Sequence, residues 1–136
     1  MKLTKLRLTK DASNRLRFLA GRTGLTPNIL CRMGFCLSLA EPSNPNPEDF
    51  PEEDREFNRY TLLGEFDPLF IALLRERCHR DGLPSEALPG AFRAHMNRGV
   101  VLLQKRVRGL SDLASLLGPA PSSTGTPDEP LRSVSG

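Results

Sequence analysis

The sequence of 136 residues predicts a mainly α-helical, oligomeric protein with one short strand near its start. Leucines alternate with basic or polar residues over residues 5–9, which is the period of a β-strand. Farther along, apolar residues recur at helical spacing in four segments. A lone strand leaves its backbone groups unpaired, and no second strand lies at hairpin distance. The simplest predicted partner is therefore the same strand of a second copy.

The N-terminal unit of residues 1–40 is predicted to contain this strand and two short helices. The first helix spans about residues 10–23, and Gly24 suits the left-handed residue that ends a helix. Thr26 can cap the second helix and Pro27 fits its first turn, while Pro42 ends it. The inward-facing residues of the first helix are Ala12, Leu16, Leu19 and Ala20.

The second predicted helix is apolar on almost every side. One stripe consists of Ile29, Met33, Cys36, Leu37 and Ala40, and Cys31, Phe35 and Leu39 point to other sides. A helix of this kind must be buried nearly all round. A unit of residues 1–40 is too small to bury it alone, so subunit association is predicted.

Two further helices are predicted after an acidic, proline-rich segment. That segment, residues 41–56, is expected to be an extended and poorly ordered linker, and residues 57–63 are expected to be extended. The third helix is expected over about residues 67–81 and the fourth over about residues 89–106. Their predicted core faces are Leu69, Phe70, Leu73 and Leu74 in the third, and Phe92, Met96, Val100, Leu103 and Val107 in the fourth.

The predicted domain organisation is one helical domain over residues 1–117, followed by a tail. Ser111 is expected to cap a last short helix, and residues 118–136, rich in Pro, Ser, Gly and Thr, are expected to be disordered. The longest apolar run is too short to cross a bilayer, and the start of the chain does not resemble a secretory signal. These features predict a cytoplasmic protein without a membrane partner.

The charges are distributed in blocks that predict a polyanionic partner. Residues 1–40 carry eight lysines and arginines against one aspartate, a net charge of +7, whereas residues 41–56 carry −6 and residues 88–117 carry +4. Surface arginines often form only a solvated face, but this density of cations favours contact with DNA phosphates. The predicted DNA-binding residues are Lys2, Lys5, Arg7, Lys10, Arg15, Arg17, Arg22 and Arg98. The acidic linker can shield this surface when DNA is absent.

Enzymatic alternatives depend on the carboxylates and the cysteines. Carboxylates between residues 48 and 54 could hold magnesium in a nuclease, but such ligands usually converge from rigid elements on a pocket. The cysteines, which are predicted to be reduced and buried rather than catalytic, are Cys31, Cys36 and Cys78. No Cys or His spacing indicates a zinc site, and no phosphate-binding loop is evident, so no metal and no cofactor are predicted. The two histidines are expected to be surface or packing residues.

The order of the N-terminal elements resembles the ribbon-helix-helix fold. The resemblance is carried by residues 5–9 (KLRLT), 16–20 (LRFLA), 24–26 (GLT) and 29–33 (ILCRM). In such a fold two copies of the strand form an antiparallel ribbon that fits the major groove of DNA. The outer face of that ribbon would present Lys5, Arg7 and Thr9 of each chain.

Over residues 1–117 the chain also resembles the DndE family, the small component of bacterial DNA sulfur-modification (phosphorothioation) systems. The segments that carry this resemblance are residues 5–9 (KLRLT), 59–64 (RYTLLG) and 95–99 (HMNRG). It implies a protein that forms tetramers, binds duplex DNA with a preference for nicked duplex, and has no catalytic centre. It also implies partners, namely a cysteine desulfurase, a sulfur-transfer enzyme and an ATPase, which together replace a non-bridging phosphate oxygen by sulfur in a restriction-modification context.

Three hypotheses follow from the sequence. The first is a non-enzymatic DNA-binding subunit of the sulfur-modification machinery. The second is a ribbon-helix-helix transcriptional repressor that reads an operator through its ribbon, although a simple repressor rarely needs the long helical half after residue 43. The third is an enzyme, either a nicking nuclease or a thiol-based sulfur carrier.

Overall fold

The N-terminal strand pairs with a strand of its own chain. In the computed structural model, which describes residues 3–107, β1 (Lys5–Arg7) is antiparallel to β2 (Glu56–Asn58), with Leu6 opposite Phe57. The expectation that this strand has no partner in its own chain is therefore wrong, and the pairing with a second copy, which was predicted for that reason, is no longer needed to satisfy it. Strand β2 has only three residues, too few to show an alternating pattern, and it lies far beyond hairpin distance in the sequence.

Five helices are present within the described residues, and they match most of the predicted bounds. They are α1 (Lys10–Thr23), α2 (Pro27–Ala40), α3 (Arg59–Leu63), α4 (Asp67–Arg80) and α5 (Leu88–Arg106), with single 3₁₀ turns at Pro47–Asp49, Gly64–Phe66 and Ser85–Ala87. The predicted caps are confirmed, because the hydroxyl of Thr26 accepts a hydrogen bond from Ile29 N, and Gly24 adopts φ 76°. The prediction of an extended segment over residues 57–63 is wrong in part. These residues form the end of strand β2 and then helix α3.

Helices α2 and α5 cross in direct backbone contact at two glycines. A Cβ atom on Gly34 would lie 2.6 Å from the carbonyl carbon of Gly99, so no larger residue fits at this crossing without movement. Phe35 and Phe92 pack edge to face beside it, with ring centroids 5.8 Å apart. Helix α5 also packs against α1 and α4, and its predicted core stripe is confirmed because all five residues are buried.

The glycine crossing decides which side of α2 is buried. Leu30, Cys31 and Phe35 face the core, whereas the predicted stripe is the outer side, where Ile29 and Cys36 are exposed. In α4 the predicted core face is half right: Phe70 and Leu74 are buried, but Leu69 and Leu73 are exposed. Because α2 is apolar all round, spacing alone could not distinguish its inner side from its outer side.

The acidic segment is attached to the helical body rather than extended and poorly ordered as predicted. The buried guanidinium of Arg77 donates to the backbone oxygens of Leu39, Pro42 and Ser43 at 2.7–3.2 Å. Arg93 Nε donates to Phe50 O at 2.8 Å. These arginines could not be assigned from the sequence because their acceptors are backbone carbonyls.

The described residues end before the last predicted elements. Lys2, the short helix expected after Ser111 and the tail over residues 118–136 all lie outside them, and the division into a domain and a tail stays a prediction. None of the helices between residues 3 and 107 combines the length and apolar character that a bilayer span requires.

Candidate nucleic-acid interface

Strand β1 presents two cations on its outer side. Lys5 and Arg7 are exposed while Leu6 between them is 2% exposed, as the two-residue period of a strand requires. Their side chains are 68% and 47% exposed. The alternation that predicted the strand therefore also placed these two cations correctly on the surface.

Helix α1 continues the positive surface. Lys10, Asn14 and Arg17 are exposed and lie three or four residues apart, which puts them on one side of the helix. Arg17 Nη1 donates to Asn14 Oδ1 at 2.8 Å, so the guanidinium lies along the helix and keeps donors open to solvent. Arg22 is also exposed, and its guanidinium carbon lies 5.6 Å from the ring centre of Phe18. Five residues along a helix correspond to about 140° of rotation, so Arg22 faces a different side of α1 from Arg17. We call the exposed residues Lys5, Arg7, Lys10 and Arg17 the basic row.

Two of the predicted DNA-binding arginines are engaged inside the protein. Arg15 donates to Asp11 Oδ2 at 2.8 Å and to Gln104 Oε1 at 2.7 Å, which ties α1 to α5. Arg98 donates to Ser38 Oγ, to Ser38 O and to Ser43 Oγ at 2.8–2.9 Å. Burial and the neighbouring Arg77 lower the pKa of Arg98. Both arginines therefore connect secondary-structure elements within the protein.

A carboxylate lies between the two cations of β1. Glu56 on β2 opposes Arg7 in the strand register, and its oxygens are 3.6 Å from Arg7 Nε and 3.8 Å from Lys5 Nζ. Glu53 Oε1 accepts a hydrogen bond from the backbone N–H of Lys10 at 3.2 Å. The sequence showed the acidic block but not this pairing, because the register of β1 with β2 is a long-range property.

The junction between β1 and α1 is fixed by a residue that the sequence analysis did not single out. Buried Asn97 accepts a hydrogen bond from Thr9 N at 2.8 Å and donates to Arg7 O at 3.4 Å. The hydroxyl of Thr9 caps α1 by accepting from Ala12 N at 3.0 Å, which gives it a structural role instead of the predicted place on the outer face of a ribbon. The only sequence signal for Asn97 was its place in the HMNRG segment.

His95 is buried beside Ser38 and is shielded from solvent. Its Nδ1 is hydrogen-bonded to Ser38 Oγ at 2.8 Å, Ser38 Oγ also accepts from Arg98 Nε, and the buried Nε2 has no hydrogen-bond partner within residues 3–107. Burial, followed by the charges of Arg98 and Arg77, lowers the pKa of His95 to about 4. The pair is therefore a neutral packing contact at physiological pH, as expected for this histidine, while His79 is on the surface.

All three cysteines are free thiols, and their surroundings disfavour the thiolate. Burial raises the pKa of Cys31 to about 12, and desolvation also raises the pKa of Cys36 and of Cys78. The prediction of buried cysteines holds for Cys31 and Cys78, but Cys36 is exposed. Since the thiolate is the nucleophilic form, none of these thiols is activated.

The carboxylates considered for a nuclease do not converge. Within residues 3–107, no three His, Cys, Asp or Glu side chains come together in a way that could hold a metal ion. Glu48 and Asp49 lie in an exposed 3₁₀ turn, and Glu53 contacts the start of α1 instead.

An apolar groove lies between the outer sides of α2 and α4. It has a volume of about 510 Å³ and is lined by Ile29, Arg32, Met33, Cys36, Phe66, Leu69 and Phe70. Leu69 is 55% exposed and Ile29 is 39% exposed. The apolar character that the sequence placed all round α2 thus remains on the surface as a contiguous patch.

Known proteins resemble this chain in sequence and in fold. The model of the family described as "DndE: DNA sulphur modification protein DndE" matches residues 5–109. The crystal structure of DndE from Escherichia coli B7A, involved in DNA phosphorothioation modification, is 28% identical with a TM-score of 0.61, and the match covers 76% of this chain and 99% of that one. The crystal structure of a DndE glycine-to-lysine mutant has the same coverage, 24% identity and a TM-score of 0.58, and supports the fold alone. Among curated protein sequences, none matches significantly.

Proposed function

Because this chain belongs to the DndE family of DNA sulphur modification proteins, we propose that it is the non-enzymatic, DNA-binding subunit of a phosphorothioation complex. The observation that carries the proposal is the basic row, in which four exposed cations follow one another along β1 and one side of α1. Flexible cations of this kind neutralise phosphates without reading bases. The protein would therefore hold duplex DNA of any sequence for its partners.

The contacts proposed for DNA are narrower than the set predicted from sequence. The polar contacts of the basic row, to Glu56 and Asn14, are solvent-exposed, whereas Arg15 donates to Gln104 and Arg98 donates to Ser38 in partly buried hydrogen bonds. We assign these two arginines to the stability of the domain. Lys2, outside the described residues, stays a predicted phosphate contact because it continues the same basic segment.

We propose that the chain acts as an oligomer, a tetramer by the family resemblance. The groove between α2 and α4 exposes large apolar side chains that a second copy would cover. Symmetry would then repeat the basic row around the assembly, so several weak surfaces would act on one duplex. Nicked duplex suits such a surface, since DNA that bends at low cost can follow it.

The chemistry of sulfur transfer is assigned to partner proteins. The pKa of each cysteine is raised, which disfavours the thiolate that a sulfur carrier needs. The partners would be a cysteine desulfurase, a sulfur-transfer enzyme and an ATPase, acting with this subunit on DNA in the cytoplasm. No cofactor is proposed for this chain itself.

The strand pairing does not support the repressor alternative, which needs a structural element that reads DNA bases. That alternative required β1 of two copies to form a ribbon, but β1 pairs with β2 of its own chain and the hydroxyl of Thr9 caps α1. The DNA-subunit proposal predicts similar affinity for unrelated sequences instead.

Equilibrium binding to short labelled duplexes tests the proposed function. Arg7→Ala and Arg17→Ala should each weaken binding to several random sequences by a similar factor, about tenfold at low salt. Arg75→Ala is the matched control, because Arg75 is an exposed arginine on α4, outside the basic row. Loss confined to one palindromic sequence would favour the repressor, and equal losses in all three variants would contradict the assignment to this surface.

A further inference from the structure

The acidic segment is held directly against the basic row by backbone hydrogen bonds. Leu8 N donates to Arg55 O at 2.9 Å, and Asp54 N donates to Leu8 O at 2.9 Å. These bonds extend the β1–β2 pairing toward the start of α1, where Glu53 contacts Lys10 N. The carboxylates therefore cannot drift away from the cations as they would on a free linker.

Glu56 has the geometry of a substitute phosphate. Its two oxygens reach Arg7 and Lys5 at the same time, at 3.6 Å and 3.8 Å, from the strand that faces them. A carboxylate and a backbone phosphodiester each carry one negative charge, and both are ligands for lysine and arginine. An anion that binds this pair of cations competes with Glu56 for them.

We propose that Glu56 is a built-in competitor that weakens DNA binding at β1 until a polyanion displaces its carboxylate. This inference rests on the proposed function, since it concerns the same cations. The competition is intramolecular, and the strand pairing keeps the local concentration of the carboxylate high. Its ion pairs are nevertheless solvent-exposed and hence weak.

Competition from Glu56 favours the binding of an extended phosphate backbone over the binding of a single small anion. A single phosphate or sulfate ion contacts Lys5 and Arg7 alone and competes there with a tethered carboxylate. A duplex would contact Lys10 and Arg17 on α1 at the same time, so it would remain bound while it competes for Lys5 and Arg7. The chain would thus bind long polyanions more tightly than small anions at this position.

A charge-matched pair of variants tests the proposal. Glu56→Gln and Glu86→Gln change the net charge equally, and Glu86 is an exposed residue of the turn before α5, remote in sequence from the basic row. Affinity for a random duplex at low salt should rise about threefold to tenfold in Glu56→Gln, and less than twofold in Glu86→Gln. In an Arg7→Ala background the gain from Glu56→Gln should fall at least by half, because one of its two cations is gone.

The outcomes separate this inference from the proposed function. Equal gains in Glu56→Gln and Glu86→Gln would show that net charge alone matters and would overturn the inference while leaving DNA binding intact. Absence of duplex binding in the wild-type protein and in both variants would overturn both. Circular dichroism and urea unfolding of each variant establish that the fold is kept, so a change in affinity reports on the surface.

Discussion

The contact between Gly34 and Gly99 predicts that a single methyl group is strongly destabilising. On residue 99 a Cβ atom would overlap the carbonyl group of Gly34 and lie 2.7 Å from Phe35 N, where ordinary Cβ contacts are 3.4–4 Å. Helices α2 and α5 would have to separate by about 1 Å, and packing strain of this kind typically costs about 1–3 kcal/mol.

Separation also loosens the surrounding core. A gap of about 1 Å forfeits a quarter to a half of the dispersion attraction across it, and the buried side chains of Phe35, Phe92 and His95 lie at this interface. The higher helix propensity of alanine offsets about 1 kcal/mol. If the lost dispersion roughly cancels this offset, the expected net loss stays at about 1–3 kcal/mol in the free energy of unfolding, a large part of the stability of a small domain.

Urea unfolding followed by circular dichroism measures this loss directly. Gly21→Ala is the matched control, because it lies inside α1 and a Cβ there meets nothing within 4 Å. That control should be as stable as the wild type, or up to about 1 kcal/mol more stable. A Gly99→Ala protein that unfolds at the same urea concentration as the control would refute the close crossing.

Two further predictions concern the buried histidine and the apolar groove. His95 should make the protein less stable as the pH falls, because its pKa is 6.5 in the unfolded chain and about 4 in the folded protein. Between these two pH values only the unfolded chain binds a proton, which favours unfolding. The free energy of unfolding should fall by about 1.4 kcal/mol per pH unit below pH 6.5, and by roughly 3 kcal/mol in total. Urea unfolding at several pH values measures this loss, and it should be absent in His95→Gln. Ile29→Asp should lower the mass of the assembly in light scattering, because it places a charge in the groove. If the stability of the wild type and of His95→Gln changes with pH in the same way, the first prediction is wrong. If Ile29→Asp leaves the mass of the assembly unchanged, the second is wrong.

Local signals accounted for the elements that the sequence predicted well. The end of α1 and the start of α2 follow from Gly24 and Thr26, which are adjacent to the helices that they delimit. Thr9, predicted on the outer face of a ribbon, is instead the N-cap of α1. The stripe of α5 was equally clear because its buried side repeats over nineteen residues. Strand β1 was recognisable from its alternation, although its partner was not.

Long-range contacts account for the features that the sequence could not predict. The inner side of α2 is set by a glycine contact with α5, more than sixty residues away. Arg98 looked like a surface cation, yet its donors meet Ser38 and Ser43 because the crossing brings them together. The position of Glu56 between Lys5 and Arg7 depends on the β1–β2 register in the same way.

The salt dependence of duplex binding tests the central claim most directly. If an assembly neutralises roughly six phosphates, the logarithm of its affinity should fall against the logarithm of salt concentration with a slope near −5. Replacing Arg7 or Arg17 by alanine should make that slope shallower by about one for each copy of the residue in contact with DNA. An affinity that does not change with salt, or a slope that these substitutions leave unaltered, would contradict phosphate binding by the basic row.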